Sequence, residues 1–352
     1  MKILKNCWYA AAWGDEVKSG APLPLRIADL PMLFFRRQDG GLSAIADYCP
    51  HRFAPLSRGK QIGDVIQCGY HGLEFDGQGK CVRNPHEAGK LPNACVPAYT
   101  AIERHSVVWV WVGDQPADPA LISDEFAFLA DPARAHVRGR FHVKANYLLM
   151  LDNLNDLSHA RFVHGDALMT EDLYKAFSPQ MKVEGDVINV TALCHNITAP
   201  GLFQLGLPQG SEKTDLHDYV KTILPANVIH DIAYTQPGEA PYQNTGASSR
   251  SAHFFTPETA TTAHYLFNNS RDFLVGDEQI NGKVRAALIQ AFGEEDIPMI
   301  EAQQGVIGDR DLFDLHPVIL VTDRGGVMAR RNLAKHIKAQ DDAEAEVAQR
   351  SL

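Results

Sequence analysis

The sequence predicts an α+β fold, in which a β-rich N-terminal part is followed by a mixed part that combines strands and helices. Short runs of β-branched and aromatic residues, separated by glycine-containing turns, fill the first part up to about residue 115. Apolar residues recur at helical spacing from Tyr147 to about Arg161 and from Glu278 to about Gly305. Between the two parts, prolines among acidic and alanine residues at 114–132 indicate a domain junction.

In the N-terminal part, runs rich in apolar and β-branched residues predict strands at residues 25–28, 32–36, 42–46 and 106–112. Gln38-Asp-Gly-Gly41 predicts a hairpin turn between the second and third runs, and Asp76-Gly-Gln-Gly79 predicts another turn of this kind.

In the C-terminal part, the same reasoning predicts strands at residues 187–193, 219–224 and 252–255. The runs 252–256 and 261–267 flank a Pro-Glu-Thr turn and predict a hairpin, and residues 326–340 predict an amphipathic helix. The glycine- and proline-rich segment 198–218 interrupts this pattern, which predicts an irregular segment able to act as a mobile lid.

The composition excludes several classes of function. The 352 residues carry a net formal charge of −10, so the chain has no general electrostatic footprint for nucleic acid or an anionic membrane. No apolar run approaches the roughly 20 residues that span a bilayer, and the N-terminus lacks the apolar core of a signal peptide. We therefore expect a cytoplasmic protein that binds neither nucleic acid nor membrane.

Two cysteines stand beside histidines. Cys49-Pro-His51 and Cys68-Gly-Tyr-His71 offer two thiolates and two imidazoles, a set that holds either structural zinc or a Rieske [2Fe–2S] cluster. Zinc fingers pair like ligands, whereas each loop here supplies one of each kind, which favours the cluster. The other cysteines, expected to be small buried hydrophobes, are Cys7, Cys81, Cys95 and Cys194.

A second candidate metal motif lies in Asp152-Asn-Leu-Asn-Asp-Leu-Ser-His-Ala-Arg-Phe-Val-His164. Two histidines with one carboxylate form the ligand set of non-haem Fe(II) oxygenases, which leaves open positions for O2. Asp156 and His159 share a helical face, but His164 lies about 500° further round than His159. Both imidazoles can reach one ion only if the helix breaks between them or the ion lies beyond its end.

With Cys49-Pro-His-Arg, Cys68-Gly-Tyr-His-Gly and the 152–164 motif in one sequence, the chain resembles the oxygenase component of Rieske non-haem iron oxygenases. The resemblance is greatest to the vanillate and dicamba O-demethylase branch and runs over nearly the whole chain. It implies an N-terminal β-rich Rieske [2Fe–2S] domain at residues 1–118. It also implies a helix-grip-like catalytic domain, an antiparallel sheet plus helices, at residues 119–352.

The resemblance also implies roles for individual residues. The implied cluster ligands are Cys49, His51, Cys68 and His71. The implied ligands of the mononuclear iron are His159, His164 and Asp296, and the rival carboxylates near the last are Glu294, Glu295 and Glu301. Pro298 departs from the family's helix and can place a helix start beside Asp296.

Three further residues match family positions. Asn153 matches an asparagine near the iron and is either a distant or water-mediated ligand or a partner in a hydrogen bond within the helix. Asp156 matches a carboxylate that links a cluster histidine of one subunit to an iron histidine of its neighbour, which implies a homotrimer; the alternative is a salt bridge to Arg161. His253 falls where dicamba-type enzymes have a pocket histidine, but no arginine or lysine can be assigned to a substrate carboxylate.

The implied activity is O2-dependent oxidation of a small aromatic substrate, as part of aromatic-compound catabolism. Electrons would pass from NADH through a separate flavin and iron–sulfur reductase to the cluster and then to Fe(II). The expected reaction is O-demethylation of a methoxybenzoate such as vanillate, with release of formaldehyde. Alternatives are hydroxylation of another substituent, such as the methyl group of an aromatic sulfonate, demethylation of a chlorinated methoxybenzoate, a non-catalytic Rieske electron carrier and a zinc-binding interaction module.

Overall fold

The computed structural model describes residues 2–87, 90–241 and 246–350. Contacts divide the chain into two compact units. The N-terminal unit contains residues 1–124 and 256–259, and the C-terminal unit contains residues 125–255 and 260–352. The domain boundary expected after residue 118 stays a prediction.

The N-terminal unit is built from small antiparallel sheets. Its strands are β1 (Cys7–Trp13), β2 (Leu23–Ile27), β3 (Leu30–Arg36), β4 (Leu42–Ala46), β5 (Lys60–Ile62), β6 (Val65–Gln67), β7 (Glu74–Phe75), β8 (Cys81–Arg83), β9 (Ala98–Tyr99), β10 (Ala101–Arg104) and β11 (Val107–Val112). The sheet orders are β1-β11-β10, β2-β3-β4-β9 and β5-β6-β7-β8. β11 is the central strand of its sheet, and all six of its residues are buried.

The strands expected at 32–36, 42–46 and 106–112 are confirmed as β3, β4 and β11. β2 ends at Ile27 rather than at the expected residue 28. Ala28 and Asp29 have positive φ angles of 55° and 65°, which suit the two-residue turn that leads into β3.

The C-terminal unit contains a seven-stranded antiparallel sheet in the order β12-β18-β17-β16-β15-β14-β13. Its strands are β12 (Ala135–Val143), β13 (Gln180–Glu184), β14 (Val187–Ile197), β15 (Thr214–Ile223), β16 (Asn227–Thr235), β17 (Ala247–Pro257) and β18 (Ala263–Arg271). Its α- and π-helices are α1 (Tyr147–Asn155), α2 (Ala160–Val163), α3 (Glu171–Ala176), α4 (Gly201–Gln204), α5 (Glu278–Leu288), a π-helix (Ile289–Asp296), α6 (Ile297–Ile307) and α7 (Arg324–Arg350). Short 3₁₀ helices lie at Leu157–His159, Gly165–Ala167, Phe313–Leu315 and Val321–Asp323. The α+β class, the hairpin of β17 and β18 and the C-terminal amphipathic helix are confirmed.

Two expectations about this unit are wrong in part. The helix expected from residue 147 to about 161 ends at Asn155, because Asp156 is extended (φ −129°, ψ 90°) and its side chain accepts a hydrogen bond from Ser158 N–H instead. The segment 198–218, expected to be irregular, contains α4, and its last residues pair with β14 as the start of β15.

The expected burial of the four remaining cysteines is also only partly correct. Cys81 and Cys194 are buried, and Cys7 is half-buried, but Cys95 is exposed. No helix in the described residues has both the length and the apolar character needed to cross a bilayer.

Packing of α7 against α1 fixes the start of the 152–164 motif. A side-chain carbon at Gly325 would lie 2.9 Å from the carbonyl oxygen of Asn155, so the two helices approach more closely than a larger residue permits. One turn later, Arg330 donates to both carboxylate oxygens of Asp152, with Nη2 at 2.6 Å from Oδ2. Together these contacts hold the C-terminal end of α1, from which the motif continues.

Candidate metal centres and cavity

The loops that contain Cys49 and His51 and Cys68 and His71 have the same backbone hydrogen-bonding pattern. In each loop the cysteine N–H donates to the carbonyl five residues on, and the N–H four residues on donates back to the cysteine carbonyl. The four bonds are Cys49 N to Ala54 O (2.8 Å), Phe53 N to Cys49 O (2.8 Å), Cys68 N to Leu73 O (2.8 Å) and Gly72 N to Cys68 O (3.0 Å). The donors Phe53 and Gly72 both have positive φ, 56° and 74°. The loops are therefore two similar tight turns.

The thiols lie inside these turns and the imidazoles lie outside. Cys49 and Cys68 are each 2% exposed, whereas the rings of His51 and His71, with centroids 4.6 Å apart, are accessible from solvent. Burial raises the pKa of the Cys49 thiol to about 11, so without a metal it stays protonated. This arrangement suits two metal ions, one deep between the thiols and one near the surface between the imidazoles.

The donor spacing argues against a single ion at these loops. A tetrahedral zinc ion needs its ligand atoms roughly 3.5 Å apart, given bonds of about 2.0–2.3 Å. In the described residues, no three of the ligand atoms of Cys49, His51, Cys68 and His71 lie within 4.8 Å of one another, whereas those of another group do. A two-iron cluster fits the wider spacing, because the two cysteines would hold one iron and the two histidines would hold the other.

That convergent group is His159, His164 and Asp296, in the C-terminal unit. The Nε2 atoms of both histidines lie 3.4 Å from Oδ1 of Asp296, and the ring centroids are 5.5 Å apart at 74°. The three residues expected to bind the mononuclear iron are thus brought together across 132 to 137 positions of sequence, and all three line the cavity described below.

A one-turn helix positions the two histidines. His159 ends a 3₁₀ turn (Leu157–His159) that leads directly into α2, and His164 is the C-terminal cap of α2. Asp156 makes two hydrogen bonds that stabilise this arrangement. Its Oδ1 accepts from Ser158 N–H at 3.0 Å, and its backbone carbonyl accepts from Nδ1 of His159 at 2.6 Å. A proton held on Nδ1 leaves the Nε2 lone pair of His159 available to a metal.

A π-helix presents Asp296. It runs from Ile289 to Asp296 and continues directly into α6, whose first turn contains Pro298. Pro298 has no N–H to donate, and its ring opposes the carbonyl four residues earlier, which disfavours an ordinary α-helical turn here. A widened π turn accommodates both, and such turns occur often at functional sites. The sequence predicted a helix start near Pro298, but the helical run is continuous from Glu278, and only its type changes from π to α at Ile297.

The rival carboxylates have other surroundings. Oε2 of Glu295 lies 2.6 Å from Nδ1 of His164, and Oε1 of the same residue accepts from Gln290 at 3.0 Å. Glu301 accepts from the N–H of Lys144 at 2.8 Å, and Glu294 is exposed. The contact of Glu295 with His164 was missed from the sequence, and its only signal there is its position beside Asp296.

Electrostatics keep Asp296 anionic. Burial raises the pKa of its carboxyl group, but hydrogen bonds from His159 and His164 outweigh burial and hold the pKa at about 2. Burial lowers the pKa of His164, and contacts with Asp296 and Glu295 raise it by more. Asn153 adds a further hydrogen bond, from Nδ2 to Oδ1 of Asp296 at 3.2 Å. The expected asparagine therefore touches the carboxylate of the trio.

A cavity of about 180 Å³ opens beside the trio. An apolar cavity of about 150 Å³ already accommodates benzene, so this volume suits a substituted single ring. Helix residues such as Leu157, Leu202 and Leu288 supply apolar walls, and strands β15 to β18 supply the floor. On that floor, Nδ2 of Asn269 donates to the hydroxyls of Ser249 (2.6 Å) and Ser251 (3.1 Å).

His253 also lines this cavity, as expected from the sequence. Its Nδ1 lies 2.8 Å from the hydroxyl of Tyr265, whereas its buried Nε2 has no hydrogen-bond partner in the described part of the chain. Burial lowers the pKa of His253 to about 3, so the ring is neutral at ordinary pH. A buried polar atom without a partner is costly, which makes Nε2 a candidate contact for a bound molecule.

The neighbours of His253 in sequence and on the adjacent strand divide between cavity and core. Phe254 packs against Phe126, Phe267 packs against Phe292, and Asn268 is buried but does not line the cavity. Asn269 lies on the cavity side, as the alternation of side chains along β18 requires.

Comparisons with known proteins agree with this geometry. The profile of the Rieske [2Fe–2S] domain matches residues 7–100, and that of the vanillate O-demethylase oxygenase C-terminal domain matches residues 143–339. The chain is 37% identical to the oxygenase component of chloroacetanilide N-alkylformylase from Rhizorhabdus wittichii, over 96% of this chain and 97% of that protein.

It is 35% identical to the oxygenase component of dicamba O-demethylase from Stenotrophomonas maltophilia, over 95% of this chain and 98% of that protein. The crystal structure of dicamba monooxygenase bound to 3,6-dichlorosalicylic acid superposes with a TM-score of 0.89 at 34% identity, covering 97% of this chain and 99% of that one.

Proposed function

The chain belongs to the vanillate O-demethylase family of Rieske non-haem iron oxygenase components, and from that premise we propose that it O-demethylates a methoxybenzoate such as vanillate. It is an oxidoreductase that works with a separate reductase. The overall reaction consumes the methyl ether, O2, NADH and one proton, and yields the phenol, formaldehyde, NAD⁺ and water. The single observation that carries the proposal is the convergence of His159, His164 and Asp296 on a ring-sized cavity.

Two metal groups complete the proposal. Cys49 and Cys68 would hold one iron of a [2Fe–2S] cluster, and His51 and His71 would hold the other. A mononuclear Fe(II) would be held by His159, His164 and Asp296. The chemistry that these groups supply when bound is one-electron transfer and activation of O2.

The residues of this chain orient the ligands and exclude water. The Asp156 carbonyl accepts a hydrogen bond from Nδ1 of His159, and Glu295 accepts one from Nδ1 of His164, which directs both Nε2 atoms towards one point. Asn153 keeps Oδ1 of Asp296 turned the same way. The apolar walls of the cavity desolvate the aromatic ring, and Nε2 of His253 offers it a polar contact.

We also propose a closed ring of three chains, in which Asp156 links an iron histidine to a cluster histidine of a neighbour. Two exposed apolar surfaces support an assembly. In the C-terminal unit a groove lined by Asp156 also includes Val318, which is 85% exposed, and Ile319, which is 52% exposed. In the N-terminal unit Phe53 and Tyr70, beside the cluster loops, are 73% and 60% exposed. Surfaces of this kind mark protein interfaces, and a head-to-tail contact closes into a ring.

The test is a coupled assay with reductase and NADH over methoxy-substituted benzoates. Substrate-dependent O2 uptake with an equal amount of formaldehyde supports O-demethylation. A cis-diol product without formaldehyde would overturn it.

A second candidate is oxidative N-dealkylation of a neutral anilide. It has the support of the 37% identity with chloroacetanilide N-alkylformylase and of the uncharged polar side chains of Ser249, Ser251 and Asn269 on the cavity floor. Aldehyde release from an N-alkoxyalkyl anilide, with no turnover of methoxybenzoates, would select it.

A further inference from the structure

Arg271 ends strand β18 with a guanidinium group that is almost wholly buried, its residue being only 1% exposed. Nε donates to the carbonyl of Phe273 at 3.1 Å. Nη2 donates to the carbonyl of Leu274 at 3.0 Å and to Oδ1 of Asn281 at 2.7 Å. The remaining nitrogen, Nη1, is buried and has no hydrogen-bond partner among the described residues.

The charge of Arg271 is also unpaired at short range. Among the described residues, its hydrogen-bond acceptors are the carbonyls of Phe273 and Leu274 and the side-chain amide of Asn281, none of which is a carboxylate. Burial lowers the pKa of Arg271, whereas the more distant Asp277 and Glu278 raise it. A buried guanidinium is normally paired with an anion, because desolvating a charge without a partner is costly. In the part of the chain that the structure describes, this one contacts only neutral hydrogen-bond acceptors.

Arg271 faces the cavity described above. It lines the same space as the His159, His164 and Asp296 trio, two residues beyond Asn269 on the same side of β18. Phe267, four residues back along the strand, packs against Phe292 on the π-helix that carries Asp296. Arg271 therefore lies about 13 Å further along the strand than that contact. The cavity is therefore lined both by the trio and by a cationic nitrogen donor that has no hydrogen-bond partner in the described residues.

We propose that Nη1 of Arg271 binds an acidic group on the substrate, a carboxylate or a sulfonate, so that the enzyme accepts aromatic acids in preference to neutral amides. The inference rests on the proposed function only in taking this cavity as the substrate site. It separates the chain from an anilide-oxidising activity of the kind that the chloroacetanilide relative is named for, because an anilide has no anion to offer.

The first test compares ligands on the native holoenzyme by isothermal titration calorimetry under argon, and needs no variant. The probes are 3-methoxybenzoate, 3-methoxybenzenesulfonate and 3-methoxybenzamide. One charge-assisted hydrogen bond predicts that at least one acid binds about 10- to 100-fold more tightly than the amide. The tighter of the two acids identifies the anion. An amide that binds as tightly as both acids would overturn the inference.

The second test removes the cation. Arg271→Gln should weaken binding of the preferred acid by about 10- to 100-fold and change binding of the amide by less than about 2-fold, whereas Arg271→Lys should retain part of the preference. Arg134→Gln is the matched control. Arg134 donates hydrogen bonds to Ser270, the residue before Arg271 on β18, but it does not line the cavity. Unchanged acid binding in Arg271→Gln would contradict the inference.

Structural damage is separated from ligand binding by Asn281→Ala. It removes a partner of Nη2 and should lower the melting temperature while keeping the acid preference. Binding also separates this inference from the proposed function. Acids that bind through Arg271 without being oxidised would refute only the function. Methoxybenzoates that are oxidised with equal kcat/KM by native enzyme and by Arg271→Gln would refute only the anion site.

Discussion

Nδ1 of His164 lies 2.6 Å from Oε2 of Glu295, while Nε2 of the same ring lies 3.4 Å from Oδ1 of the next residue, Asp296. Two successive carboxylates on one π-helix thus contact both nitrogens of one imidazole. Since Nδ1 donates to Glu295, the lone pair of Nε2 is free to bind a metal. Glu295 is therefore a positioning residue for His164, and the first prediction follows from this contact.

Glu295→Gln should weaken binding of the mononuclear iron by about 10- to 100-fold, because a neutral amide orients and polarises the imidazole less well than a carboxylate. Iron affinity is measured by titrating Fe(II) into apoprotein under argon. Glu294→Gln is the matched control, since Glu294 is exposed and adjacent. Equal affinities in the two variants would show that Glu295 has no such role.

Asp156→Asn should leave the iron bound but slow electron transfer from cluster to iron by about 10-fold or more, because it removes the proposed bridging carboxylate while an asparagine can still cap Ser158 N–H. Asp156→Ala should also lower the free energy of unfolding by about 1 kcal/mol, because it removes the cap as well. Single-turnover oxidation of the reduced cluster and urea unfolding measure the two effects. Asp166→Asn, on the same segment, is the control, and loss of iron in both Asp156 variants would instead make Asp156 a ligand.

The sequence predicted which residues approach one another at the site, but it did not predict where helix α1 ends or which side chains orient the site residues. The α+β class, the hairpin of β17 and β18 and the approach of His159, His164 and Asp296 follow from local patterns and from the family resemblance. The end of α1 at Asn155 did not follow, because the apolar spacing continues past it and only the capping side chain of Asp156 stops the helix.

The long-range contacts were not readable from local sequence. Glu295 could be named only as a rival to Asp296, since the difference between ligating and orienting depends on a side-chain direction set by the π-helix. Arg271 was not singled out at all, because its importance comes from what surrounds it: two carbonyls, one amide and an unused nitrogen in a cavity.

The His253→Gln variant should lose less stability than native protein when the pH is lowered from 7 to 5. The folded-state pKa of His253 is about 3, below the ordinary value of about 6.5. The stability that the neutral His253 ring contributes is therefore fully present above about pH 6.5 and declines as the pH falls towards 3. The reason is that His253 takes up a proton at a higher pH in the unfolded chain than in the folded one. By pH 5 this costs about 2 kcal/mol. Urea unfolding from pH 7 to pH 5 should show the smaller loss in the variant, with the exposed His316→Gln as control; curves that run parallel to those of native protein would contradict it.

Arg330→Met should lower the free energy of unfolding by about 3 kcal/mol, because Arg330 is buried and its removal leaves the Asp152 carboxylate without its partner. Guanidinium chloride unfolding measures this change. Arg331→Met is the matched control, since Arg331 is the exposed neighbour on α7. The double variant Asp152→Leu with Arg330→Met should recover part of the loss, and a double variant less stable than Arg330→Met alone would refute the pairing as the cause.

Iron and acid-labile sulfide analysis of native protein and of Asp296→Asn, each purified under argon and reconstituted with Fe(II), tests the central claim most directly. The account predicts about three irons and about two sulfides per chain in native protein, and about two of each in the variant, with an unchanged Rieske spectrum. Glu301→Gln changes the rival carboxylate that accepts a hydrogen bond from the N–H of Lys144, and this variant should have the same iron and sulfide content as native protein. Three irons retained in Asp296→Asn, or zinc in place of iron and sulfide in native protein, would contradict the account.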